Sequence, residues 1–185
     1  MHVFSQYHLD FSATQAASGL AAVHNSEIEG RPAIAHTDIS PAQYIRVGGR
    51  FKLNDFNRAR FLRWSISKNQ TCTYRVSKNP GWNRSPEEYM YLDQTEKVDV
   101  YSLGNIFYML LQEEWPFQDL NETEAIQQII KGARPSIDKA VWESQDPVDQ
   151  ALRQAMIMCH VQNATERVTA RQVEEFLLRE AHVLD

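Results

Sequence analysis

Cysteine is nearly absent. Cys72 and Cys159 are the only two in 185 residues, far apart and outside any CxxC spacing. That excludes a disulfide scaffold and a cysteine-based zinc site, and it leaves two free thiols suited to a reducing compartment. There is no basic surplus either. A net charge of −5 excludes a general nucleic-acid binder, which needs lysine and arginine to offset phosphate. No apolar run approaches the ~18 residues needed to cross a bilayer. The opening MHVFSQYHLD lacks the basic start and apolar stretch of a secretion signal. The sequence therefore reads as cytoplasmic by default, with no membrane segment. The N-x-S/T triplets at Asn69, Asn83, Asn121 and Asn163 carry meaning only in a secreted protein.

What is present is ordinary for a soluble globular protein, with 43% hydrophobic and 23% charged residues. The length suits a single domain over residues 1–185. A helix is expected over residues 11–24, where Ser12 and Gln15 have capping-box spacing ahead of Ala16, Leu20 and Val23. Two β-prone runs around Gly48-Gly49 predict a hairpin, since both glycines accept positive φ. Residues 55–87 are polar and without period, so they read as one long loop, and loops of that length are uncommon without a functional reason. Residues 97–112 are apolar on nearly every side, which places that helix inside a core. Three more helices are expected: 122–131 behind Asn121 and Glu124, 147–160, and 170–183 behind Thr169 and Gln172. The expected class is mainly α, a helical bundle with one small β-hairpin and one long loop.

Several fragments occur in a telling order. His36 to Gln43 reads HTDISPAQ, Asp55 to Asn57 reads DFN, and Ser85 to Glu87 reads SPE. Further on come DVYSLG from Asp99 and IIKGARP from Ile129, then Arg167. In this order they resemble the protein kinase motifs H-R-D-L-x-x-x-N, D-F-G and A-P-E, followed by the buried helix that supports the catalytic loop. The resemblance covers about residues 10–183 and implies the C-terminal lobe of a kinase-like domain.

By that resemblance, Asp38 would accept the proton of a substrate hydroxyl, Asp55 would bind Mg²⁺, and Gln43 would stand where an asparagine holds a second ion. Ile45 would form the floor beneath adenine. His36, Phe56 and Asp99 would be internal support, and Glu87 would pair with Arg167. ATP and Mg²⁺ are the implied cofactors, and a protein substrate or partner is implied. Taken singly, each residue has a plainer reading. Asp38 could be a cap, His36 a packed histidine, Ile45 and Phe56 core, and Arg58, Arg60 and Arg63 a solvated face rather than a phosphate site.

The sequence also departs from the family pattern. No G-x-G-x-x-G occurs and residues 1–51 contain no lysine, so the glycine-rich loop and phosphate-anchoring lysine of an N-terminal lobe are not expected here. Thr37 replaces the arginine before the aspartate, Ser40 replaces a lysine, Gln43 replaces asparagine, and Asn57 replaces glycine. Asn57 is tolerable because asparagine accepts left-handed backbone better than most residues. Two readings stand: a divergent protein kinase of which this chain is a C-lobe inactive by itself, or a pseudokinase-like C-lobe that binds partners.

Overall fold

The interior helix organises the molecule. This computed structural model describes residues 13–26, 28, 30–76, 81 and 84–184. The first helix, α1, spans Thr14–His24, and Ser12 of the expected capping box lies outside the described residues. Strands follow: β1 (Ile34–Ala35), β2 (Tyr44–Val47), β3 (Arg50–Leu53), β4 (Arg60–Phe61), β5 (Trp64–Ser65) and β6 (Gln70–Thr71). The helices after them are α2 (Pro86–Tyr89), α3 (Lys97–Gln112), α4 (Glu122–Ile130), α5 (Lys139–Trp142), α6 (Pro147–Cys159) and α7 (Ala170–Leu184).

Every residue of α3 from Val98 to Tyr108 is buried, as its all-round apolar sequence requires. It ends where Glu113 turns left-handed at φ 58° and its N–H returns to the Met109 carbonyl. Phe107 and Leu103 sit at its centre with no exposure, each contributing about 1.5–3 kcal/mol by leaving water. Around them pack Leu152 and Met156 from α6, Leu20 from α1, and Val173 and Leu177 from α7. Gly104 lets α3 approach α6 closely. A Cβ there would lie 2.7 Å from the His160 ring and 2.8 Å from Cys159 Cβ.

The hairpin β2–β3 pairs Tyr44 with Leu53 and Val47 with Arg50. Gly48 and Gly49 both take positive φ, 58° and 81°, as a two-residue turn of this hand demands. The hairpin leans on α1: the Tyr44 hydroxyl donates to the Ala16 carbonyl at 3.1 Å, and Phe51 N–H donates to Gln15 Oε1 at 2.6 Å.

Two expectations need correction. The hairpin is accompanied by two further antiparallel pairs, β1 with β4 and β5 with β6. Residues 55–87 are therefore not one featureless loop. They hold β4, β5, β6 and the start of α2, and Tyr74 bridges to Gln94. Two-residue strands leave no periodic trace in sequence, because partners distant along the chain create them. Among the described residues no helix is long and apolar enough to cross a membrane.

Candidate active site

Asp99, in the first turn of α3, is the point from which the site is built. Its carboxylate is almost wholly buried and accepts three hydrogen bonds. His36 N–H donates to Oδ2 at 2.7 Å, Thr37 N–H to Oδ1 at 2.7 Å, and His24 Nε2–H to Oδ2 at 2.9 Å. A buried carboxylate survives only when its lone pairs are met in this way. The bonds also hold Thr37 at φ 63°, a conformation a β-branched residue resists. The Thr37 hydroxyl adds a bond to the Arg58 carbonyl at 2.8 Å. Asp38 thus leaves a fixed backbone and is 23% exposed.

Both oxygens of Asp38 are engaged. Arg84 Nη2 donates to Oδ1 at 2.7 Å, with Arg58 Nη1 3.8 Å from the same oxygen. Gln43 Nε2 donates to Oδ2 at 3.1 Å.

Asp55 is braced against the same loop through its neighbours. The Asn54 carbonyl accepts from His36 Nε2 at 2.9 Å, and Asn54 N–H donates to the Gln43 carbonyl at 2.8 Å. The Phe56 ring meets the His36 ring edge-on, with centroids 5.1 Å apart. Asp55 itself is exposed and left-handed, φ 58°, and one oxygen accepts a long bond from Asn57 N–H at 3.4 Å. The left-handed residue of the DFN tripeptide is therefore Asp55, and Asn57 lies in a 3₁₀ turn over Phe56–Arg58. The tolerance invoked for Asn57 is not needed. Nor are Phe56 and Ile45 core residues: they are 46% and 44% exposed. Phe56 supports His36 with one edge only, and Ile45 sits on a short hairpin whose β2 strand has no buried residue.

Glu87 and Arg167 make a bidentate pair at 2.7 and 3.1 Å, with Arg167 fully buried. The same guanidinium donates to the carbonyls of Val161, Lys97 and Gln162 and lies over the Tyr101 ring. Next along α2, Glu88 Oε2 accepts from the Ser85 N–H and hydroxyl at 2.8 and 2.9 Å. Burial pushes the Glu88 carboxyl up to about 7, against the lowering pull of the Ser85 bonds and Arg84. Across the interior, burial, with Arg134 and Arg167 adding to it, pushes His160 down to about 3. Its neutral ring donates from Nε2 to Asn105 Oδ1 at 2.9 Å.

Sequence reasoning missed His24, Arg84 and Glu88. The Ser85-to-Glu88 spacing, with Pro86 between, is a readable capping pattern. The other two lie 75 and 46 residues from the carboxylates they hold, and nothing local marks them. The donor set fits a hard cation. Gln43 spends its amide nitrogen on Asp38, which leaves its carbonyl oxygen to a metal, and Asp55 offers an exposed carboxylate.

The family model for the protein kinase domain matches residues 1–176. The serine/threonine-protein kinase PEPKR2 of Arabidopsis thaliana is 29% identical over 141 residues, 76% of this chain and 28% of that protein. The serine/threonine-protein kinase VIK of the same plant is 27% identical over 129 residues, 67% of this chain and 28% of that protein. The dual specificity protein kinase Ttk of Danio rerio is 30% identical over 164 residues, 83% of this chain and 15% of that protein. The chain thus spans between 15% and 28% of the length of these relatives. With its helical architecture and small antiparallel sheets, this chain belongs to the protein kinase family.

Proposed function

We propose that this chain carries the catalytic-loop portion of a protein kinase that transfers the γ-phosphoryl group of ATP to a protein hydroxyl. The observation that carries the reading is the bracing of Asp38 and Asp55 by one loop, anchored on Asp99 and joined through His36 to Asn54. Phosphoryl transfer asks for positioning and charge balance more than covalent help, and such bracing provides the first. Asp38 accepts the hydroxyl proton as that oxygen bonds to the γ-phosphorus and the bond to the ADP oxygen breaks. ADP departs with the electron pair. Asp55 and the Gln43 carbonyl would hold Mg²⁺, which neutralises phosphate charge when bound. Ile45 would lie beneath adenine.

The 185 residues contain no G-x-G-x-x-G, and none of the first 51 is a lysine. Nucleotide anchoring is therefore expected from groups outside this sequence, and the 185 residues by themselves should show no thermal stabilisation by Mg²⁺·ATP. A clear shift at modest nucleotide concentration would contradict that. In the gene product that contains this chain, Asp38→Asn should cut transfer to a protein substrate by about 100-fold or more with the fold intact. Unchanged turnover would remove Asp38 from its role. The second reading, a pseudokinase-like binding module, is favoured by one feature: both Asp38 oxygens are already engaged, by Arg84 and Gln43.

A further inference from the structure

The loop His36–Gln43 contains no lysine and no arginine, yet its central carboxylate is held by a guanidinium. Arg84 arrives from 46 residues away, immediately before α2. It makes two bonds that no smaller cation could make together: Nη1 donates to the Thr37 carbonyl at 2.8 Å, and Nη2 donates to Asp38 Oδ1 at 2.7 Å. One planar fork thereby spans the Thr37–Asp38 peptide, fixing the loop backbone and the rotation of the carboxylate together. The Arg84 side chain is 10% exposed, so solvent screens the contact little. Arg58, at 3.8 Å from the same oxygen and 32% exposed, is the weaker of the two cations.

From this geometry we propose that Arg84 is the positioning residue of the transfer reaction, which by claiming Oδ1 of Asp38 assigns proton acceptance to Oδ2. This rests on the kinase reading of Asp38. Oδ2 is held by the neutral amide of Gln43, whereas Oδ1 is bonded to a guanidinium. A carboxylate free to rotate would present either oxygen, and a misplacement of ~1 Å costs on the order of 100-fold in rate. The fork also links the loop to α2. The Arg84 backbone continues into Ser85, whose N–H and hydroxyl are capped by Glu88. Arg84 is therefore in place only while the segment leading to α2 is folded.

The test uses the gene product containing this chain, with Mg²⁺·ATP and one protein substrate. Arg84→Gln should lower kcat about 100-fold while both KM values stay within about twofold. Arg84→Lys keeps the charge but only one of the two bonds, and it should recover about tenfold of that loss. Should Arg84→Gln fail to melt cooperatively, Arg84→Lys decides: a kcat about tenfold below wild type at unchanged KM supports the role. Wild-type kcat in either folded variant overturns it, and so does a loss that appears in KM alone. Asp38→Asn separates the two levels. If it still transfers, or if wild type transfers to no hydroxyl, the kinase reading falls and Arg84's task falls with it. If Asp38→Asn abolishes transfer while Arg84→Gln turns over normally, only the present proposal falls.

Discussion

Among the described residues, two of the arginine–carboxylate pairs sit in opposite surroundings. Arg167 and Glu87 are sealed inside, with the remaining guanidinium hydrogens spent on three backbone carbonyls. Arg84 and Asp38 meet at the edge of the site, where the carboxylate keeps 23% of its surface. A sealed ion pair can only hold the fold, because neither partner can reach a ligand. A pair with one open carboxylate can hold the fold and also hand that carboxylate to a substrate. The four-residue α2 lies between them. Glu87 reaches inward from it, while Arg84 and Ser85 lead into it from the side of the site. The interior pair therefore fixes the platform from which the outer pair is aimed.

The sharpest way to break this contrast is to remove each arginine and compare stabilities. Arg167→Ala leaves Glu87 buried without its counter-charge and three carbonyls without a donor. A loss of about 3–5 kcal/mol is expected, roughly 10 °C in Tm for a chain of this size. Arg84→Gln should cost clearly less, since water reaches Asp38. Equal losses in thermal unfolding would erase the distinction between a structural pair and a site pair.

Glycine offers a second comparison, one in the interior helix and one beneath the hairpin. Gly104 lies against His160, whose ring contacts Tyr101 under the Arg167 guanidinium. An alanine methyl there would sit 2.7 and 2.8 Å from His160 and Cys159 atoms, so Gly104→Ala should cost about 1–3 kcal/mol through overpacking. Gly19 lies in α1 beneath the hairpin, where a Cβ would be 3.6 Å from Leu53 Cβ, an ordinary contact. Gly19→Ala should stabilise by about 0.5–1 kcal/mol, the usual gain of alanine over glycine in a helix. Denaturant midpoints that shift the same way in both variants would show that the two regions are packed alike.

What the sequence showed and hid follows the same division. The apolar residues on every side of 97–112 could belong only to an interior helix, and α3 is that helix. The capping pairs Asn121 with Glu124 and Thr169 with Gln172 are local chemistry, and both form. Motif order suggested Glu87 and Arg167 as partners, and they meet at 2.7 Å. The site was harder to read. The hold of Arg84 on Asp38 and of His24 on Asp99 depends on tertiary folding, not on spacing. Likewise β4 exists because Arg60 and Phe61 find Ala35 and Ile34, not because of any pattern of their own. Burial was overestimated at Phe56 and Ile45, because an apolar side chain is not bound to be inside.

The smallest effect is also the most selective, because each region holds one buried group that titrates with opposite sign. Glu88, on the side of the site, has its carboxyl raised to about 7 in the folded protein from an ordinary value of 4.5. The folded state then binds more protons than the unfolded one, so its contribution to stability is full below about 4.5 and lost as pH rises through about 7. His160, in the interior, is lowered to about 3 from 6.5. The unfolded state binds more protons there, so its contribution is full above about 6.5 and lost as pH falls towards about 3. Between pH ~4.5 and ~6.5 the two slopes oppose each other and nearly cancel. Glu88→Gln removes one of them. Relative to wild type, its unfolding free energy should rise with pH by about 1 kcal/mol per unit across that window. Parallel pH–stability curves for the two proteins would mean that Glu88 is ionised in the folded state. The cap on Ser85, and with it the approach of Arg84 to Asp38, would then be held by a charge rather than by a buried neutral acid.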